Sequence, residues 1–333
     1  MGEKKKCRIV ATGAALPEKK LTNHDMEDIV ETDNEWIVSR TGIQERRIME
    51  EGKGASRLAE EACWQALNSA GVSPEEIDLI VFTTVTPDQL IPASASILQA
   101  RLGASRAAAF DLNAGCTGFV YGLATGSQFI ETGLYRNVLV IGADLLSRVT
   151  DWQDRSTCIL FGDGAGVALL QPEENKEEKS SGFLSMELGS DGSNPEILIM
   201  PGGGSLVPAT EESVRNRMHY IKMNGNEVFK FATRVIPEVT WSLLKKAGRE
   251  TPELKYLILH QANMRIMESA RKKLELSRER VPTNIERYGN MSAASVPVLL
   301  HEIVEAGGLN KGDLVGMVGF GAGLTWGGVL LEW

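Results

Sequence analysis

The stretch AFDLNAGCTGFVYGLATGSQFIETG, residues 109–133, decides how the chain is read. A short apolar run closes in Asp111-Leu112-Asn113, small residues surround Cys116, and Phe119, Leu123, Phe129 and Ile130 then recur at roughly helical spacing. The pattern predicts a strand that turns sharply into a buried helix, with Cys116 at the turn. Unpaired N–H groups and the positive end of the dipole at a helix start favour an anion, so a thiol there is expected to ionise more readily than a free one. The segment alone leaves two readings, a nucleophile or a structural cysteine buried for its packing.

Outward from that turn, the chain repeats itself. SAGVSPEEIDLIV at 69–81 is echoed, with one residue inserted, by KAGRETPELKYLI at 246–258. In both, Ala-Gly ends a helix, Pro-Glu crosses a short loop and an apolar run makes a strand, so a duplicated α/β chain with mainly buried strands is expected. Strand-like runs at 138–142 and 314–318 occupy similar late positions in each copy. The expected halves are residues 1–174 and 175–333. They meet in QPEENKEEKSS, residues 171–181, which is charged and lacks apolar periodicity, as an exposed connection would.

Composition narrows the class. With 333 residues, 43% hydrophobic and 24% charged, the chain can bury a sizeable core, and its net charge of −9 argues against general nucleic-acid binding. Cys7, Cys63, Cys116 and Cys158 are scattered and form no C-x-x-C pair, so neither a zinc site nor a disulfide framework is suggested, and a reducing, cytoplasmic setting fits best. The start, MGEKKKCRIVATGAALPEKK, superficially resembles a signal peptide, but Arg8 interrupts its short apolar run, and residues 7–12 read as a first strand. Nothing approaches the ~20 apolar residues of a membrane span, so a soluble protein is expected.

Polar groups fall at the ends of the predicted elements. Residues 256–259 form an apolar strand that delivers His260, and Asn290 stands among small residues just before an apolar helical segment. A cysteine, a histidine and an asparagine at matching ends of α/β units form a plausible set, since one can attack while two donate hydrogen bonds. GFGAGLTWGG at 319–328 is either a tight β connection or a loop that brings backbone N–H groups to a reacting oxygen. Trp36 and Arg40, four apart in a helical stretch, could clasp a nucleobase, although a partly buried Trp beside a solvated Arg fits the same spacing.

Taken together, NAGCTGF, LHQANMRI, ERYGNMSAASVP and GFGAGLTWG, with DNEWIVSRTGIQERR and CILFGDGAG, resemble the β-ketoacyl-acyl-carrier-protein synthase III family, the initiating condensing enzymes of bacterial fatty-acid synthesis. The resemblance runs from the first strand to the last residues. It implies an α/β thiolase-like fold of two pseudo-duplicated halves in five αβαβα layers, usually a homodimer. It also implies a Cys116, His260 and Asn290 triad, with Phe320 assisting beside the nucleophile and backbone N–H groups of Cys116 and of Ala322 or Gly323 forming the oxyanion site. For the CoA moiety it implies Trp36 and Arg155 about the adenine, Thr32 and Arg40 nearby and Asn263 along the pantetheine tunnel, so the Trp36–Arg40 clasp is only half supported.

The implied reaction is a decarboxylative Claisen condensation of an acyl-CoA primer with malonyl-acyl carrier protein, with no metal or redox cofactor. The alternative is a specialised acyltransferase or thioesterase of secondary metabolism on the same fold. Residues 230–280 carry 12 basic and 6 acidic residues, a local balance of +6 within a chain of −9. Lys230 and Arg265, with Lys272 and Lys273, are the candidate docking residues for the acidic carrier protein, the rest reading as solvated helix faces. Ile91, where the family often has phenylalanine, is the candidate acyl-pocket residue and would admit branched or longer primers.

Overall fold

The computed structural model describes residues 6–174 and 181–333. Most of the charged segment expected to join the halves, and the lysine-rich start, therefore lie outside the described residues.

Two sheets organise the chain. The first is built from β1 (Cys7–Ala15), β2 (Leu79–Thr83), β3 (Ala108–Leu112), β4 (Val138–Leu145) and β5 (Asp163–Pro172), in the order β1-β5-β4-β2-β3. The second contains β6 (Gly182–Ser190), β7 (Leu254–Leu259), β8 (Leu314–Gly321) and β9 (Thr325–Glu332), in the order β7-β8-β9-β6. In the first, β4 pairs parallel with β2 and antiparallel with β5, which is antiparallel to β1. In the second, β8 pairs parallel with β7 and antiparallel with β9, which is antiparallel to β6. The second sheet is the first one repeated without β3.

The helices include α1 (Asn34–Thr41), α2 (Ala55–Ala70), α3 (Gly118–Glu131), α4 (Gly225–Ala247), α5 (Met264–Lys273) and α6 (Ser295–Glu305). The echoed sequences fold alike. Helix α2 ends at Gly71 (φ 63°) and α4 at Gly248 (φ 65°), each in the left-handed conformation; a 3₁₀ turn follows, Pro74–Glu76 or Thr251–Glu253, and then β2 or β7.

Helix α2 lies on β1, β4 and β5, while α4 lies on β6, β8 and β9 with α5 beside it. Between the sheets run α3 and α6: α3 touches β2 and β4 of one sheet and β8 and β9 of the other, and α6 touches β1, β5 and β7. The layers are thus helix, sheet, helix pair, sheet, helix. Central strands covered on both faces need continuous apolar sequence, and β2, β4 and β8 are buried at every position. One core cluster, with Phe119, Leu123, Val140, Ile258, Leu299 and Met317, draws on both sheets and both inner helices, which fixes the two helix starts relative to each other.

Candidate active site

The turn before α3 brings Cys116 to the middle layer. Gly115 adopts φ +58°, a conformation a larger residue resists, and its N–H donates to the Asn113 side chain at 3.2 Å. Thr117 caps α3, and Cys116 precedes it. From the other half comes the glycine-rich connection of β8 and β9. It approaches so closely that a Cβ on Gly321 would stand 2.7 Å from the Cys116 backbone nitrogen. Thr325 fastens the two loops: its hydroxyl lies 3.0 Å from that of Thr117, 2.9 Å from the Ala114 carbonyl and 3.0 Å from that of Ala322.

His260 follows β7, its backbone N–H donating to the Val318 carbonyl at 2.9 Å, so the sheet ladder sets where the ring emerges. The ring is buried and meets Phe320 edge-to-face with centroids 5.4 Å apart. Burial alone lowers the imidazole to about 3, so His260 is neutral at physiological pH. Its Nδ1 lies 2.7 Å from the Ser295 hydroxyl. Gln261, its buried neighbour, is structural: its amide donates to the Leu259 carbonyl and accepts from the Asn284 N–H.

Asn290 is held by its backbone between Leu160 and Gly162, donating to the first at 2.8 Å and accepting from the second at 3.0 Å. Its side-chain Oδ1 accepts the Ser292 N–H at 2.9 Å, which fixes the amide so that Nδ2 is the group left to donate. Beneath this clamp lies the fully buried Arg46, donating to the carbonyls of Leu21 and Ile159 and to Asn23 Oδ1.

Cys116 departs from the sequence expectation. Instead of ionising readily, its thiol is pushed up to about 11, chiefly by burial and further by the Asp144 carboxylate, with Ser292 pulling the other way. Desolvation acts against the ionisation that a helix start favours. Ser292 is itself unusual, with φ +49° and a buried hydroxyl lacking a partner at full hydrogen-bonding geometry. Asp144, on β4, is buried as well; its Oδ1 accepts from Thr84 and Thr86 hydroxyls and from the N–H of Val85, and its Oδ2 from Ala293 N–H at 3.1 Å. That last bond ties the first sheet to the loop that carries Asn290.

Sequence reasoning missed Asp144, Ser292, Ser295 and Arg46 as parts of this site. Asp144 left a signal, an acidic residue ending a buried apolar strand, which needs several donors to stay there. The serines left none, since small polar residues at a helix start look alike until the fold orients them.

At the surface, the cation over the Trp36 ring is Arg155, 4.8 Å from its centroid and donating to the Glu31 carbonyl, whereas Arg40 is exposed. The Trp36–Arg40 clasp drawn from helical spacing is thus replaced by a contact made 119 residues away in sequence. Thr32 keeps a buried, unpartnered hydroxyl close by in sequence. Asn263 caps α5, accepting from the Arg265 N–H and donating to the Arg40 carbonyl at 3.1 Å, which joins α5 to the end of α1.

Lys230 pairs with Glu227, and Arg265 lies over Phe229, so both cations sit at the start of α4. Lys272 lies 3.7 Å from Glu268, and Lys273 donates to the Thr233 carbonyl. Much of the basic excess in this region is paired in this way, Arg234 with Glu238 and Arg271 with Glu268 included. Ile91 is 87% exposed beside Leu90 at 80%, away from the buried core. Among the described residues no group of three or more His, Cys, Asp or Glu is placed to hold a metal, and no helix is long and apolar enough to cross a membrane.

Comparison with known proteins agrees with this architecture. Residues 110–192 match the model for 3-oxoacyl-[acyl-carrier-protein] synthase III, and residues 244–333 match the model for its C-terminal part. The chain is 52% identical over 326 residues to the β-ketoacyl-[acyl-carrier-protein] synthase III of Natranaerobius thermophilus, covering 98% of this chain and 99% of that protein. Its fold matches the crystal structure of 3-oxoacyl-[acyl-carrier-protein] synthase III from Aquifex aeolicus with a TM-score of 0.90 at 44% identity, covering 98% of this chain and all of that one. The priming β-ketosynthase of the R1128 polyketide pathway also matches, with a TM-score of 0.90 at 33% identity over the whole of this chain and 98% of that one.

Proposed function

The chain belongs to the β-ketoacyl-[acyl-carrier-protein] synthase III family, and from that premise we propose that Cys116 takes an acyl group from acyl-CoA and condenses it with malonyl-acyl carrier protein. The product is β-ketoacyl-acyl carrier protein, with CoA and CO₂ released, the step that begins a fatty acid. One observation carries the assignment of residues: the Cys116 turn packs against Gly321, next to the Phe320 ring that meets a buried neutral imidazole, and against Ser292, whose N–H orients the Asn290 amide.

In the first half-reaction the Cys116 sulfur attacks the thioester carbonyl. Its proton passes to the departing CoA sulfur, and backbone N–H groups of Cys116 and of the Ala322–Gly323 loop hold the tetrahedral oxyanion. Because burial favours the thiol at rest, that proton leaves in the course of the attack rather than beforehand. In the second half-reaction His260 and Asn290 donate to the malonyl thioester carbonyl. The carboxylate bond to the α-carbon breaks, its electron pair forms an enolate, and the α-carbon attacks the acyl-cysteine to expel the Cys116 sulfur. A neutral imidazole suits a donor role, since it does not compete for the substrate proton.

For the CoA moiety the reading uses Trp36 and Arg155, which part to admit the adenine, with Thr32, Arg40 and Asn263 along the path. Lys230 and Arg265 at the start of α4, with Lys272 and Lys273 on α5, form the proposed rim for the acidic carrier protein. The protein works as a cytoplasmic homodimer in this reading, supported by exposed Leu90 and Ile91, apolar side chains that a second copy would cover and that would then line the acyl pocket.

The test is a panel of acetyl-, isobutyryl-, isovaleryl-, butyryl- and octanoyl-CoA, each with malonyl-acyl carrier protein, following CO₂ and product mass with Cys116→Ala as control. Condensation that the control loses supports the reading. Acyl-enzyme without any β-ketoacyl product would turn it toward a specialised acyltransferase.

A further inference from the structure

Ser295 stands at the start of α6, fully buried, and its hydroxyl is the one side-chain hydrogen-bond partner of the His260 ring among the described residues. Three groups compete for it. The Gln261 N–H donates to the oxygen at 3.3 Å, the Ser292 carbonyl lies at 2.9 Å, and His260 Nδ1 lies at 2.7 Å. A serine has one proton to give and two lone pairs to receive, so either Ser295 donates to Nδ1, or Nδ1–H donates to Ser295 and the serine proton goes to Ser292.

The two states place opposite groups on the far side of the ring. A neutral imidazole carries one proton, so Nε2 is a donor in the first state and an acceptor in the second. The Ser292 carbonyl already receives the backbone N–H of Ser295 and has least need of the hydroxyl. Nδ1 is the shorter contact and, as an imidazole nitrogen, the stronger base. We propose that Ser295 is a positioning residue for the condensation: its hydroxyl donates to His260 Nδ1 and thereby holds the proton on Nε2, where it faces the thioester carbonyl. This rests on the reading of His260 as a donor.

The arrangement also explains why the donor residues share one loop. Ser292 orients the Asn290 amide through its N–H and, through its carbonyl, accepts the backbone N–H of the serine that sets the histidine, so both donors are positioned from residues 290–295. Burial keeps the imidazole neutral near pH 7, so the tautomer is the remaining variable.

The experiment uses the full chain labelled with ¹⁵N-histidine and long-range ¹H–¹⁵N correlation at neutral pH. Of the four histidines, His260 is assigned by the signals that His260→Gln removes. The parent protein should show Nε2 protonated and Nδ1 bare, and Ser295→Ala should show mixed tautomers or the reverse one. Decarboxylation of malonyl-acyl carrier protein by the acylated Ser295→Ala enzyme should fall in kcat on the order of 10- to 100-fold, less than the ~10²–10³ of deleting an oxyanion donor, with KM little changed and acylation affected less. Ser295→Thr should recover part of the loss.

A parent spectrum with Nδ1 protonated would overturn the proposal even if Ser295→Ala does not fold. So would a Ser295→Ala enzyme with unchanged tautomer and rate. If a His260→Ala enzyme, which has no side-chain donor, decarboxylates at the parent rate, the donor reading of His260 fails instead, which separates the two ideas.

Discussion

Replacing Gly321 by alanine tests whether the glycine-rich loop positions the nucleophile. The added Cβ would lie 2.7 Å from the Cys116 nitrogen, 2.9 Å from its Cβ and 3.2 Å from its Cα, where ordinary contact begins at 3.4 Å. None of these neighbours is the free end of a flexible side chain, so Cys116 and its turn must retreat by about 0.7 Å, the gap between 2.7 and 3.4 Å. Overpacking of this kind costs about 1–3 kcal/mol, which for a chain of this size lowers Tm by about 1–4 °C. A displacement near 1 Å at a reacting centre costs about 10²-fold in rate.

Gly192→Ala is the control, since its Cβ would meet nothing within 4 Å. Single-turnover acylation by acetyl-CoA, read by intact-protein mass, and a thermal melt measure both effects. Gly321→Ala should keep its fold yet acylate about 100-fold more slowly than the Gly192 control. Acylation at the parent rate would show that the close approach is incidental packing and refute the reasoning.

Trp36→Ala should raise KM for acyl-CoA about tenfold with kcat little changed, as expected for one stacking contact of ~1–3 kcal/mol, and should leave acyl-pantetheine kinetics untouched. Arg40→Ala should do less than Arg155→Ala, because Arg155 holds the ring; the reverse order in steady-state KM would reject the assignment. Arg46→Met strips donors from the Leu21 and Ile159 carbonyls and from Asn23, and should cost about 2–4 kcal/mol in a urea melt. His260 takes its proton near 6.5 when unfolded but near 3 when folded, so its contribution is intact above about 6.5 and is lost as pH falls toward 3, at up to about 1.4 kcal/mol per pH unit. His260→Gln should flatten that acid limb, and an unchanged slope in denaturation midpoints between pH 6.5 and 4 would count against a buried neutral ring.

Much of this was legible because periodicity and turn chemistry are local. The strand, turn and helix about Cys116, the Ala-Gly stops at 70–71 and 247–248, and the strands before His260 all follow from nearest neighbours along the chain. What was not legible depends on contacts across the fold. Trp36 could be read from local spacing, but the cation over it came only with the family resemblance, since Arg155 arrives from another part of the first half. The upward push on the Cys116 thiol was missed for the same reason: a helix start is visible in sequence, whereas the burial that opposes ionisation belongs to the assembled middle layer.

The duplication accounts for how the site is divided. The repeat sets the starts of α3 and α6 in equivalent positions between the sheets, so one helix start can carry the nucleophile and the other the donors. Strand β2 ends toward Thr84 where β7 ends at His260, and the two positions have diverged in their partners: Thr84 donates to Asp144 on β4, while His260 meets Ser295 on α6. Asp144 then reaches across to Ala293 and fixes the donor loop to the nucleophile's own sheet. A shift of either half therefore moves thiol and donors together, which lets a reaction of two successive substrates use one set of positions. Separating them requires breaking the Asp144–Ala293 bond. Asp144→Asn, whose amide faces that N–H in one rotamer and loses acceptors in the other, should therefore impair decarboxylation more than acylation; equal losses in both half-reactions would assign Asp144 to general stability instead.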